Sequence, residues 1–181
     1  TIRPGRTTID DLEWRGLDRL DELKVGTWFP PMVYILRPDP SPPGASDARV
    51  IRRGDLLRCD FGISCLGLNS DVQQVAYVLR DGESEAPRGL RDALALGNRL
   101  QDVVIAEFRE GRAGNEILAA ALAKARAAGL VPTVYSHPIG YHGHGAGTRI
   151  GLPDMQGGVP GLGEYPLYPD TCHAIEVSVA A

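Results

Sequence analysis

Four side chains spread along the chain have the types and settings of metal ligands: Asp60, Asp71, His144 and Glu176. Asp60 follows the run Leu56-Leu57-Arg58-Cys59, and Glu176 interrupts the apolar run Ala174-Ile175/Val177, so both acids occupy places where a strand carries an apolar residue. Burying an unpaired carboxylate costs several kcal/mol, which a bound cation can offset. Asp60 and Asp71 fall in neighbouring strand-like segments, and paired antiparallel they can lie across from each other, with Cβ atoms roughly 4.5–5.5 Å apart. Like charges so close are tolerated when a cation lies between them or one holds a proton. Three carboxylates and one imidazole make a mostly hard ligand set, suited to Mn²⁺, Co²⁺, Zn²⁺ or Fe²⁺ rather than to a thiolate-preferring ion.

Three more histidines surround this set. His142 stands two residues before His144, so in an extended chain the two point to one side, one toward metal and the other, as the catalytic residue, toward substrate. His137 and Tyr141, close by, are placed at the substrate. His142 and His137 each also have a plain reading, as a loop histidine bonded to a carbonyl. His173 is expected to face solvent.

The elements that must position these residues follow from periodicity and punctuation. Thr8 to Lys24 has early acids and leucines at helical spacing, and Gly26 is read as its end. Trp28 to Leu36 reads as an edge strand because of Pro30 and Pro31, and Pro38 to Ser46 as a surface loop. Leu56 to Ile63 and Asp71 to Leu79 form a hairpin through Gly67 to Asn69. Arg88 to Glu110 and Asn115 to Ala128 are helical, with Gly111 and Gly129 placed as C-terminal caps. Short β-prone runs and a long Gly/Pro loop lead to a last strand, His173 to Val179. The order gives an α+β domain, with one domain over residues 1–181 as the expectation.

Bulk properties narrow the function. The chain has 181 residues, 43% apolar, enough for one sizeable core. A net charge of -4 with interspersed signs leaves no basic stripe for nucleic acid, and no apolar run approaches the roughly 18 residues of a membrane span. The three cysteines have no C-x-x-C spacing, which suggests no disulfide framework and fits a reducing compartment such as the cytoplasm slightly better. A start at Thr1 and a stop after a strand-like run suggest a piece of a longer protein. Asp60-Phe61-Gly62 is a kinase tripeptide without the other kinase loops, and Gly143-x-Gly145-x-Gly147 lacks dinucleotide spacing. The two helices exclude a cupin-like barrel as the origin of His142-x-His144.

These residues resemble a known family. Gly54-Asp55 through Asp60-Phe61-Gly62, then Gly67 and Ser70-Asp71, is similar to the "GD-x-x-x-x-D-x-G … G-x-x-SD" signature of the pita-bread metallopeptidases, which include methionine aminopeptidase, Xaa-Pro aminopeptidase and prolidase. Gly143-His144-Gly145-Ala146-Gly147 resembles their "GHG-x-G", Ala174-Ile175-Glu176 their "T-I-E", and Ile2-x-Pro4-Gly5-x-Thr7 their "i-x-PG-x-TE". The resemblance implies a pita-bread fold, truncated at both ends, with an N-terminal domain and last strands missing. It implies two divalent ions, manganese favoured: Asp60 on one, Asp71 bridging, His144 and Glu176 on the other. The activity implied is metal-assisted hydrolysis of the N-terminal bond of a peptide or dipeptide, with proline after the scissile bond, and homodimerisation is left open.

Three departures from the family pattern stand out. No histidine occurs between Leu36 and Arg58, and the fifth ligand, a glutamate on a last strand, is not in the chain. The second histidine, seven residues after the ligand histidine, is replaced by Gly151. Gly151 also favours an alternative, a catalytically impaired relative that holds peptides or protein partners in its cleft. A metal-free creatinase-like amidinohydrolase is a further alternative, disfavoured because that chemistry does not need the ligand set.

Overall fold

A computed structural model describes residues 1–40, 45 and 47–180. They fall into two compact units, Thr1–Pro87 and Arg88–Ala181. Part of the expected Pro38 to Ser46 loop, residues 41–44 and 46, lies outside the described residues. Among the described residues no helix is long and apolar enough to cross a membrane.

The first unit opens with α1, Ile9–Leu23. Thr8 starts it: its hydroxyl accepts from the Asp11 N–H (3.2 Å) and its own N–H donates to the Asp11 carboxylate (2.8 Å), a reciprocal cap that satisfies two donors left over by the first turn. It stops at Lys24, which itself takes the left-handed conformation (φ 58°), two residues before the glycine expected to end it. Three antiparallel strands follow in the order β1 (Met32–Leu36), β2 (Leu56–Phe61), β5 (Val72–Tyr77). β1 is the edge strand expected, but it begins only after the two prolines, which lack the N–H a ladder needs.

Side-chain alternation divides this sheet. Val33, Ile35, Leu57 and Cys59 enter a core with Ile9, Leu12 and Ile51. Met32, Tyr34, Arg58 and Asp60 alternate with them and so belong to the opposite face. Arg37 and Asp55 are buried together, Nε to Oδ1 2.9 Å and Nη2 to Oδ2 2.7 Å, and Asp55 also accepts from the Arg52 N–H. This two-pronged pair sets the turn that launches β2.

The connection between β2 and β5 differs from the expected hairpin. It contains its own small ladder, β3 (Ser64–Cys65) and β4 (Leu68–Asn69), closed by Leu66 and Gly67, both with positive φ (52° and 79°). Two successive positive-φ residues are the geometry of a tight hairpin turn, and Leu66 adopts it fully exposed, where no neighbour crowds its side chain.

In the second unit, α2 (Arg88–Ile105) and α3 (Gly114–Ala127) pack on a nine-pair antiparallel ribbon of β6 (Val131–Ile139) and β7 (Cys172–Ala180). Leu100, Val104, Ile117, Leu118, Leu122, Val134 and Ile150 form the core, with Ile175, Val177 and Val179 closing it from β7. α2 ends five residues short of the expected Glu110, because Glu107 turns inward instead of following the helical face. There its carboxylate meets Lys124 and Arg112 (Nη1 to Oε2 2.6 Å).

Candidate metal centre

In the first unit, β2 carries Asp60 on the face opposite the core, where Gln73 Nε2 donates to its Oδ2 at 3.2 Å. The register corrects the expected pairing. Asp60 faces Gln73, and Phe61 faces Val72. With Ser70 N–H donating to Ile63 O at 2.8 Å the pairing runs on, which sets Asp71 across from Gly62. Asp60 and Asp71 thus share a face as diagonal neighbours, about 7–8 Å apart at Cα, which leaves more room than direct opposition. Gly62 is closely packed: a side chain there would meet Phe29 and the indole of Trp28, whose Nε1 donates to Ser70 O at 2.8 Å. Thr27 Oγ1 donates to Gly62 O at 2.6 Å, so the backbone across from Asp71 is tied from both sides.

In the second unit, Tyr135 lies across from Glu176 and His137 across from Ala174, so Tyr135, His137 and Glu176 occupy one face of the ribbon. His137 is fully buried, with Nδ1 3.0 Å from Pro138 O and Nε2 3.0 Å from Glu176 Oε1. The Pro138 carbonyl can only accept, which assigns the proton to Nδ1 and aims the Nε2 lone pair at a carboxylate oxygen. Two lone pairs at that separation repel unless a proton or a metal cation lies between them. A backbone carbonyl fixing the tautomer of an imidazole is also the usual way a ligating histidine is oriented. The donor set on this ribbon therefore fits a divalent cation.

His144 joins the same cluster. Its ring centroid is 4.3 Å from that of His137, edge to face, and the two histidines bring ring nitrogens within 4.8 Å of one another. It sits in an exposed stretch of turns, with Gly143 N–H donating to Gly140 O and Gly145 N–H to His142 O. The extended chain expected over His142–His144 is therefore absent. His142 instead packs against the ring of the exposed Tyr141, with centroids 4.8 Å apart.

His173 is not at the surface as expected. β7 alternation puts it with Ile175 and Val177 on the helix side, where its ring meets Phe108 edge to face and its Nε2 lies 3.2 Å from Thr148 O. Burial pushes its imidazole below the usual range, partly opposed by the Thr148 carbonyl. Gly151 is buried at φ 72°, and a side chain there would overlap the Val134 carbonyl oxygen and press on Leu118. No imidazole fits at that position. His137 and His144 are themselves seven residues apart, a spacing that the Gly-His-Gly match at residue 144 hides.

The model of metallopeptidase family M24 matches residues 1–180. Among solved structures, the chain is similar to an X-Pro aminopeptidase from Thermotoga maritima (18% identity, TM-score 0.63, 98% of this chain and 51% of that one). It is also similar to a prolidase from Pyrococcus horikoshii (15%, TM-score 0.60, 98% and 52%). A methionine aminopeptidase from Rickettsia prowazekii (13%, TM-score 0.60) is covered over 83% of its length. The chain thus spans about half the length of the first two. No curated protein matches the sequence. Likeness at these identities speaks to the fold, which is pita-bread, and the sequence model speaks to descent: the chain belongs to metallopeptidase family M24.

Proposed function

We propose that the chain supplies the ligand set of a dinuclear-metal aminopeptidase or dipeptidase that cleaves an N-terminal bond before proline. The observation that carries this is the meeting of His137 Nε2 and Glu176 Oε1 at 3.0 Å, with the His137 proton committed to Pro138 O. The similar structures described as an X-Pro aminopeptidase and a prolidase support the substrate class. Asp60, Asp71 and Glu176 hold the ions, manganese favoured, and the buried His137 takes the ligand place that the motif match assigned to His144. Divalent ions there supply Lewis acidity and a nucleophile near neutral pH.

His144 then stands at the position of the family's second histidine, seven residues on. Its ring N–H donates toward the carbonyl oxygen as negative charge develops, a contribution worth on the order of 10²–10³ in rate. Tyr141 and His142, exposed on the same turns, are the candidates for contact with the rest of the substrate. On this reading Gly151 is not the mark of an impaired relative, because position 144 supplies the second imidazole.

Metal analysis beside hydrolysis of an Xaa-Pro dipeptide tests this reading. His137→Ala is expected to lose at least tenfold in Mn²⁺ affinity. His144→Ala is expected to keep the metal and lose 10²–10³ in kcat. Metal loss in His144→Ala with retention in His137→Ala restores the original assignment. Tight Mn²⁺ binding with no hydrolysis of any Xaa-Pro peptide favours the peptide-binding alternative.

A further inference from the structure

Gln73 is the residue that β5 places straight across from Asp60, and its side-chain amide donates to Asp60 Oδ2 at 3.2 Å. An ionised carboxylate only accepts, so the amide turns its nitrogen rather than its oxygen toward it. The next residue, Gln74, has the same side chain, but strand alternation turns it to the other face, opposite Cys59. Of two adjacent glutamines, one is thus bonded to a proposed metal ligand and the other serves as its control.

A carboxylate on a half-buried strand position can still turn about its side-chain torsions, and a donor across the ladder restricts that turning. Carboxylates that bind metal are oriented by such bonds, and removing the donor costs about 10- to 100-fold in metal affinity. Glutamine supplies the bond without charge. A lysine or arginine at this place would hold Asp60 as firmly but offset its negative charge, which weakens the pull on a cation. Asp71 is a diagonal neighbour of Asp60 on the same face, so a neutral donor keeps the charge of both acids for an ion. We propose that Gln73 is a positioning residue, which holds the Asp60 carboxylate at its ligating angle and leaves its charge to a divalent cation. The proposal rests on the reading of Asp60 as a metal ligand.

Calorimetric titration of the full chain with Mn²⁺ tests it, beside urea midpoints of the metal-free chain. Gln73→Leu is expected to lose about 10- to 100-fold in Mn²⁺ affinity, Gln73→Asn to recover part of it, and Gln74→Leu to match the wild type. Gln73→Lys, which donates but carries charge, is expected to bind Mn²⁺ no better than Gln73→Leu, and it carries the comparison if the leucine variant does not fold. A glutamine with a merely structural role would lower the urea midpoint and leave the Mn²⁺ affinity of the folded chain unchanged. Undiminished affinity in Gln73→Leu, an equal loss in Gln74→Leu, or wild-type affinity in Gln73→Lys overturns the proposal. Asp60→Ala is titrated in parallel. Unchanged affinity there removes Asp60 from the ligand set and the proposal with it, whereas a loss there with none in Gln73→Leu removes Gln73 alone. Loss in both variants, without wild-type turnover of any Xaa-Pro dipeptide, removes the peptidase reading and leaves the role of Gln73 standing.

Discussion

At the scale of single residues, burial decides between two histidines that the sequence makes look alike. His144 stands in the more familiar motif, yet it is His137 whose ring is enclosed, whose tautomer is assigned by a carbonyl and whose Nε2 faces Glu176. The spacing of seven residues was readable in the sequence, but a motif match cannot report which ring is enclosed. Gly151 is set by its backbone in the same way, and its left-handed φ and the nearby Val134 carbonyl leave no room for a Cβ. Gly151→Ala is expected to destabilise the protein by about 2–5 kcal/mol, combining a left-handed non-glycine residue with overpacking. Urea unfolding measures it, and a change under about 0.5 kcal/mol, the usual surface range, contradicts it.

Elements were legible where propensity and punctuation agreed, and misjudged where a tertiary contact took over. α1 and α3 fall within two residues of their expected limits, because Thr8 and Gly129 act locally. α2 stops early because Glu107 is drawn to Lys124 and Arg112, partners that no local pattern displays. Hydrogen bonds from Lys124 and then Arg112 hold that carboxyl down at about 2, against an ordinary 4.5. With the folded pKa depressed, its stabilisation is full above about pH 4.5 and is lost as pH falls toward 2. Urea midpoints of the wild type are therefore expected to drop more steeply across that window than those of Glu107→Gln. Parallel curves remove Glu107 as the source.

For the whole molecule, the proposed ligands differ by unit in chemistry: carboxylates in Thr1–Pro87, and an imidazole with one acid in Arg88–Ala181. A cation that binds only the folded chain raises its stability by about 2.7 kcal/mol at a hundred times its dissociation constant. Thermal midpoints are expected to rise as Mn²⁺ is added to the wild type, with the rise reduced in Asp60→Ala and, independently, in His137→Ala. An undiminished rise in either variant takes that residue out of the ligand set.

The order of the longer elements, the α+β class, the family and the strand-like setting of Asp60 and Glu176 were legible in the sequence alone, because strand and helix periodicities and a few short motifs are local properties of the chain. Register, tautomer and burial belong to the tertiary structure. A shift of two residues in register decides whether Asp60 faces Asp71 or Gln73, and alternation on β7 decides that His173 turns to the helix side while Glu176 joins His137. Both depend on which strands meet, and contacts between residues far apart in the chain leave no trace in local spacing.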